Sequence, residues 1–387
     1  MAAPIYLDYN ATTPVAPAVV EAMTPFWTQH FGNPSSNHAY GWLADEAVEQ
    51  AREQVAGLIE AEPRTLVFTS GATESCVLAM QGAGAVYGGK RDHLVVAATE
   101  HKAVLATAEA MARDGFDLTI LPVDRSGLID LDALREAVTD QTLLVAVMLA
   151  NNETGVLGPV REASEIAHAK GALLMTDATQ ALGKVPVDVD ALGADLLALS
   201  GHKCYAPKGV GALFVRRRNP RVRLLPQITG GAQQDGLRGG TLNVPGIVGL
   251  GAAAALAQDH LGADQTHLAT LRDRFEQGVL TRVPETHVNG GGVERLLNTS
   301  NLRFDGVTTA KLLPAMRGLA VSTGSACQTK HAKPSHVLTA MGLSREQSFA
   351  SVRFSLGRPT TEAEIDTAIE EVASAVAAVR ASTVIVA

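Results

Sequence analysis

Asp195-Leu196-Leu197-Ala198-Leu199-Ser200-Gly201-His202-Lys203 combines a short apolar run with a turn of small and polar residues that ends in a lysine. An unbroken apolar run of this length fits a strand buried on both faces, as in a sheet covered by helices on each side. The lysine is then held at the rim of that sheet. Partial desolvation there can lower an ammonium's pKa and expose a nucleophilic amine able to form a Schiff base. For the lysine alone, a surface residue that merely follows a strand is the competing reading.

Outward from this stretch the same pattern repeats. Leu66-Val67-Phe68-Thr69, Leu94 to Ala98, Leu118 to Val123, Leu143 to Leu149 and Ala172 to Thr176 all read as strands. Helical spacing marks residues from Glu46 to Ile59, from His101 towards Arg113, from Val160 to Lys170 and from Gly246 into the 280s. Strand, polar turn and helix in alternation imply a mostly parallel sheet with helices on both faces. In such sheets ligands bind outside the carboxyl ends of the strands. Thr73, His101, Asn152, Asp177 and Lys203 each fall at or just after such an end, so one topology brings them to one crevice. Each alone could be an ordinary turn former or helix cap.

Further along, Leu302-Arg303-Phe304, Leu319-Ala320-Val321 and Val352 to Leu356 read as short strands, and Thr361-Glu362-Ala363-Glu364 as a capping box that opens a last helix. The expectation is an α/β fold in two parts. A large domain spans residues 15–260, and a smaller α+β domain takes residues 1–14 and 261–387.

Composition narrows the function classes. Among 387 residues, acidic side chains outnumber basic ones 40 to 32, for a net charge of −8. Nonspecific attraction to nucleic acid or an anionic membrane is therefore not expected. The apolar fraction of 46%, with 36 glycines, suits an enzyme rich in tight strand-to-helix turns. Cys76, Cys204 and Cys327 are odd in number and far apart, which argues against a disulfide framework and favours a reducing, cytoplasmic setting. No signal peptide is visible at the N-terminus, and the most apolar run, Gly246 to Ala257, is too short and glycine-broken to span a bilayer.

Ser70-Gly71-Ala72-Thr73 at a helix start offers backbone N–H groups and a hydroxyl to a phosphate, or is simply a capped turn. Gly84 to Lys90 approaches a nucleotide-binding loop, but Arg91 stands where Ser or Thr must meet magnesium. His101, His202 and Asp177 lack metal-ligand spacing, so no metal is expected. A phosphate cradle, an aspartate, an imidazole and a Schiff-base lysine are the parts that hold pyridoxal phosphate.

These residues sit in stretches that resemble the cysteine desulfurases, in the iron-sulfur-cluster and nitrogenase-associated branch of the pyridoxal-phosphate enzymes with the aspartate-aminotransferase fold. The resemblance covers Tyr6 to Pro14, Thr69 to Glu74, Thr99 to Lys102, Asn151-Asn152-Glu153, Asp177 to Gln180, Ser200 to Lys203, Arg238 to Thr241, Ser325-Ala326-Cys327 and Arg353 to Arg358. It implies a seven-stranded, mostly parallel sheet and the conversion of L-cysteine to L-alanine. By position, Lys203 becomes the cofactor lysine, Asp177 the partner of the pyridinium nitrogen, and Gln180 the donor to the phenolic oxygen. His101 stacks on the ring and acts as acid and base. Ala72, Thr73, Ser200 and His202 hold the phosphate, with Thr241 reaching it from a second subunit of a homodimer. Asn152 and Arg353 grip the substrate carboxylate, for which a guanidinium fork is suited.

Cys327 carries the distinctive step, attack on the substrate sulfur to form a persulfide. Lys330, His331 and Lys333 nearby favour its thiolate. Cys76 and Cys204 lack such surroundings and read as structural. The sulfur acceptor implied is a protein such as an iron-sulfur scaffold, although the chain stops at Val384 to Ala387 without the tail that housekeeping members use for scaffold docking. A selenocysteine lyase, a class V aminotransferase or a non-catalytic relative remains the alternative. An aminotransferase has no use for Cys327, and a non-catalytic relative has none for Lys203, Cys327 or Arg353.

Overall fold

The computed structural model describes residues 3–323 and 333–384, the last two without their side chains. Twelve strands occur among the described residues: β1 (Ile5–Tyr6), β2 (Leu66–Thr69), β3 (His93–Ala97), β4 (Asp117–Leu121), β5 (Thr142–Ala146), β6 (Leu173–Asp177), β7 (Leu196–Ser200), β8 (Gly211–Val215), β9 (Thr286–Val288), β10 (Thr299–Phe304), β11 (Leu319–Ala320) and β12 (Ser351–Ser355). Seven of them make one sheet in the order β2-β8-β7-β6-β5-β3-β4.

In that sheet β8 alone runs antiparallel to its neighbours, pairing Ala198 with Leu213 on one side and Phe68 with Ala212 on the other. The remaining six strands share one direction, so their carboxyl ends open on the same edge. The apolar run of β7 divides by alternation. Leu197 and Leu199 join the core on one face with Val55, Ile247 and Leu250, while Leu196 and Ala198 join that on the other with Leu78, Met80 and Met111. A strand with both faces covered needs an apolar residue at every position, which is why the run does not alternate with polar residues.

The helix Ala39–Leu58 packs against the long helix Val244–Arg282, which runs on from the large sheet to a second core. There Phe275, Phe304, Phe354, Ile365 and Ile369 pack with Leu7 around the antiparallel sheet β12-β10-β9. The N-terminal arm ties these regions together. Ile5 pairs with Leu319, Tyr9 N donates to Ser355 O at 3.2 Å, and Thr13 N donates to His202 O at 2.9 Å. The capping box at Thr361 and Glu364 is present, with reciprocal bonds of 2.8 and 3.3 Å.

Among the described residues no helix is long and apolar enough to cross a membrane.

Candidate active site

A cavity of about 650 Å³ lies at the carboxyl edge of the large sheet. It is lined by ten of the twelve residues expected from the sequence: Ala72, Thr73, His101, Asn152, Asp177, Gln180, Ser200, His202, Lys203 and Arg353. Thr241 is not among the lining residues and is exposed on this chain. Cys327 lies outside the described residues.

Lys203 follows β7 in a short 3₁₀ turn, and its Nζ donates to the carbonyls of Asn10 at 2.7 Å and Ala11 at 2.5 Å. Burial, reinforced by the charge of Arg353, lowers its pKa to about 8. Burial and the charge of Lys203 lower His202 to about 4, so this imidazole is neutral at physiological pH, with Nδ1 at 3.2 Å from Thr12 Oγ1.

The helix Ala72–Tyr87 begins at Gly71, and no side chain caps it. The N–H groups of a helix's first turn have no acceptor within the helix, so these are available to an anion. Gly71 has a φ of +148°, a conformation closed to ordinary side chains, and the loop approaches β8 so closely that a Cβ on Gly211 would fall 2.7 Å from Gly71 Cα. Glu74 holds this loop by accepting from Ser70 N at 2.8 Å and from Arg238 Nε at 2.9 Å.

Asp177 ends β6 and accepts from Thr179 N at 2.9 Å through Oδ1. His101 caps the helix Lys102–Arg113 by accepting from Ala103 N at 3.2 Å, and burial lowers its pKa against the opposing pull of Asp177. Arg353, on β12, donates to Asn152 O at 2.8 Å and to Asp8 Oδ1 at 2.6 Å, while its buried Nε has no partner among the described residues. The guanidinium thus retains donors for a further acceptor.

Several contributors were not singled out in the sequence. The Asn10 carbonyl is a hub that receives both Lys203 Nζ and Gln180 Nε2, the latter at 2.9 Å. Glu100, fully buried behind the cavity, accepts from Met148 N. Burial and then the charge of Asp177 push its pKa up to about 8, so it holds its proton at neutral pH. Lys184, which does not line the cavity, contacts Gln180, which does. Their polar character was visible in the sequence, but their burial was not. Cys76 and Cys204 are buried with thiols raised well above the ordinary range and to about 11 respectively, so neither offers a thiolate.

An uncapped helix start, an aspartate and a lysine of lowered pKa on one cavity fit pyridoxal phosphate in charge and in donor type.

Comparison with known proteins agrees with this geometry. The family model described as aminotransferase class-V matches residues 5–367. The chain is 46% identical over 379 residues to the cysteine desulfurase IscS of Rickettsia peacockii, covering 98% of this chain and 92% of that relative, and 45% identical to IscS of Rickettsia rickettsii over the same shares. Among solved structures it is similar to a NifS-like protein, with a TM-score of 0.89 at 34% identity over 97% of this chain and 99% of the other. It is also similar to SspA in complex with cysteine, with a TM-score of 0.82 at 38% identity over 91% of this chain and 98% of the other.

Proposed function

The chain belongs to the class V aminotransferase family and is a pyridoxal-phosphate-dependent cysteine desulfurase; from that premise we propose which residues carry the reaction and where the sulfur goes. The enzyme converts L-cysteine to L-alanine and transfers the sulfur to a cysteine of its own as a persulfide. The observation that carries our assignment is the convergence of Lys203, Asp177, Gln180, His101 and an uncapped helix start on one cavity.

Held on a lysine, pyridoxal phosphate supplies an electron sink for the carbanion beside the substrate amine. The helix start at Ala72 and Thr73, with Ser200 and His202, would hold the phosphate. Asp177 would keep a proton on the ring nitrogen, and Gln180 would donate to the phenolic oxygen. His101 would cover the ring face. Arg353, with N–H groups to spare, and Asn152 would bind the substrate carboxylate and fix the orientation of the α-carbon. Lys203 accepts the α-proton at Nζ, a role that its lowered pKa favours by raising the fraction of free amine.

The Cys327 thiolate attacks the substrate sulfur. A sulfur-sulfur bond forms as the carbon-sulfur bond breaks, the electron pair stays with carbon, and protons returned by Lys203 and His101 complete alanine. From Cys327 the sulfur passes to iron-sulfur cluster assembly, through a scaffold or another protein acceptor. Thr241 reaches the phosphate of a second copy, so the working unit is a homodimer, placed in the cytoplasm and engaging neither nucleic acid nor membrane. Residues 15–260 form the cofactor domain, and residues 1–14 with 261–387 form the smaller one, a division supported by the separate core around Phe275 and Phe354.

The test is peptide mass analysis of the loaded enzyme after exposure to L-cysteine without reductant. A gain of one sulfur on the peptide bearing Cys327 is expected. Sulfur on Cys76 or Cys204, or on neither of them nor Cys327, contradicts the assignment.

A further inference from the structure

Lys184 carries its ammonium into the wall behind the cavity and meets no anion there. It lies in the turn after β6, where its N donates to Ala181 O at 2.9 Å and its O accepts from Gln265 Nε2 at 3.0 Å. That turn is pressed against the lysine end of β7. Gly183 has a φ of +68°, and a Cβ there would stand 2.7 Å from Cys204 Sγ, next to Lys203.

Lys184 Nζ donates to Gln180 Oε1 at 3.0 Å and to Gln180 O at 3.1 Å. Both acceptors are neutral, and among the described residues Lys184 forms no ion pair within 4.0 Å. The charged and titratable groups that act on it are Lys203, Arg353 and Cys204. Two of these are cations, and the third is a thiol kept neutral by burial. Burial, followed by the charge of Lys203, lowers Lys184 to about 7. A desolvated cation without a counter-ion is costly to maintain, and an anion joining nearby would offset that cost.

The amide of Gln180 shows where such an anion belongs. Gln180 Nε2 donates to Asn10 O at 2.9 Å. A carbonyl can only accept, so the bond to Asn10 O fixes Nε2 on that side and the amide one way round. Oε1 faces Lys184. Of the two N–H groups, one goes to Asn10 O, and the other is left for the cavity that Gln180 lines. A cation on Oε1 also polarises the amide and strengthens that N–H as a donor.

We propose that Lys184 is a positioning residue of the cofactor site: through Gln180 it holds an amide N–H toward the cavity with positive charge behind it, and so favours a ligand oxygen in its anionic form. The proposal rests on the cavity being the pyridoxal-phosphate site, and the oxygen is the phenolic one. Lys184 itself does not touch the ligand.

The test is a pH titration of the visible absorbance of the chain loaded with pyridoxal phosphate, comparing wild type with Lys184→Met and Lys184→Arg. Loss of the cation favours the more protonated form, so Lys184→Met is expected to raise the midpoint by about one pH unit, a tenfold change in proton affinity. Lys184→Arg keeps the charge and should restore most of the wild-type midpoint. In a Gln180→Ala background the effect of Lys184→Met should fall by at least about half, because the coupling runs through the amide. Lys184→Gln, which keeps a donor without the charge, carries the same expectation where the methionine variant does not fold.

A Lys184→Met or Lys184→Gln chain that binds the cofactor with the wild-type midpoint overturns the proposal. So does an undiminished shift without Gln180. A wild-type chain that takes up no pyridoxal phosphate overturns the underlying site reading and the proposal with it, a result distinct from matched midpoints.

Discussion

Lys203 Nζ donates to the carbonyl oxygen of Asn10 at 2.7 Å, joining residues 193 positions apart in the chain. The bond locates the amine between the N-terminal arm and the end of β7, and burial there lowers its pKa to about 8. An amine of this kind attacks an aldehyde only when neutral. Uptake of pyridoxal phosphate by the apo chain should therefore quicken as pH rises and level off above about 8, as followed by stopped-flow absorbance. Replacement by alanine should lower alanine production at least about a hundredfold, the lower end of what a positioned base contributes. A rate of uptake flat across pH 8 would contradict the assignment.

Arg353 spans Asn152 and Asp8 with its two terminal nitrogens. Lysine cannot reproduce that fork. Arg353→Lys should raise KM for L-cysteine about tenfold or more, as a charged hydrogen bond is weakened, with a smaller change in kcat. Steady-state kinetics at saturating cofactor decides this, and an unchanged KM would remove Arg353 from substrate binding.

Gly71 holds its φ of +148° at the uncapped start of the helix Ala72–Tyr87. A side chain forced into that region costs about 1–3 kcal/mol. Gly71→Ala should lose stability on that scale in urea unfolding and bind pyridoxal phosphate more weakly. Wild-type values for both would mean that the loop can adopt another conformation.

Glu100 has a folded-state pKa raised to about 8 from an ordinary 4.5, because burial and then Asp177 disfavour its charge. Between these values the folded chain holds a proton that the unfolded chain has released, so this group makes stability fall as pH rises through that window. Glu100→Gln keeps an oxygen for Met148 N and removes the titration. Its Tm should exceed wild type by about 2 °C near pH 7 and converge with it towards pH 5. A constant difference across that range would mean that Glu100 does not carry the proton.

Much of this architecture was legible in the sequence because burial on both faces leaves a pattern. The run before Lys203 could be read as β7, and neighbouring strands could be placed to within a few residues. The strand Gly211–Val215 leaves no separate mark in the sequence, because it follows Gly209 and reads as an extension of the lysine turn. It inserts between β2 and β7 and completes the sheet. The helix at Ala39–Leu58 starts earlier than its apolar spacing suggests, since Tyr40-Gly41-Trp42 interrupts the pattern and leaves two aromatics exposed. The site residues at strand ends were legible as types at positions. The roles of Asn10, Glu100 and Lys184 were not, because a carbonyl hub, a buried acid and a cation without a counter-ion are products of tertiary contact.

The most direct test of sulfur transfer through Cys327 is alanine release from L-cysteine with reductant present, comparing wild type with Cys327→Ser at equal pyridoxal-phosphate loading. Wild type should release alanine turnover after turnover, and Cys327→Ser should release essentially none. Equal rates from the two proteins would contradict the assignment, because sulfur would then leave the substrate without the cysteine meant to receive it.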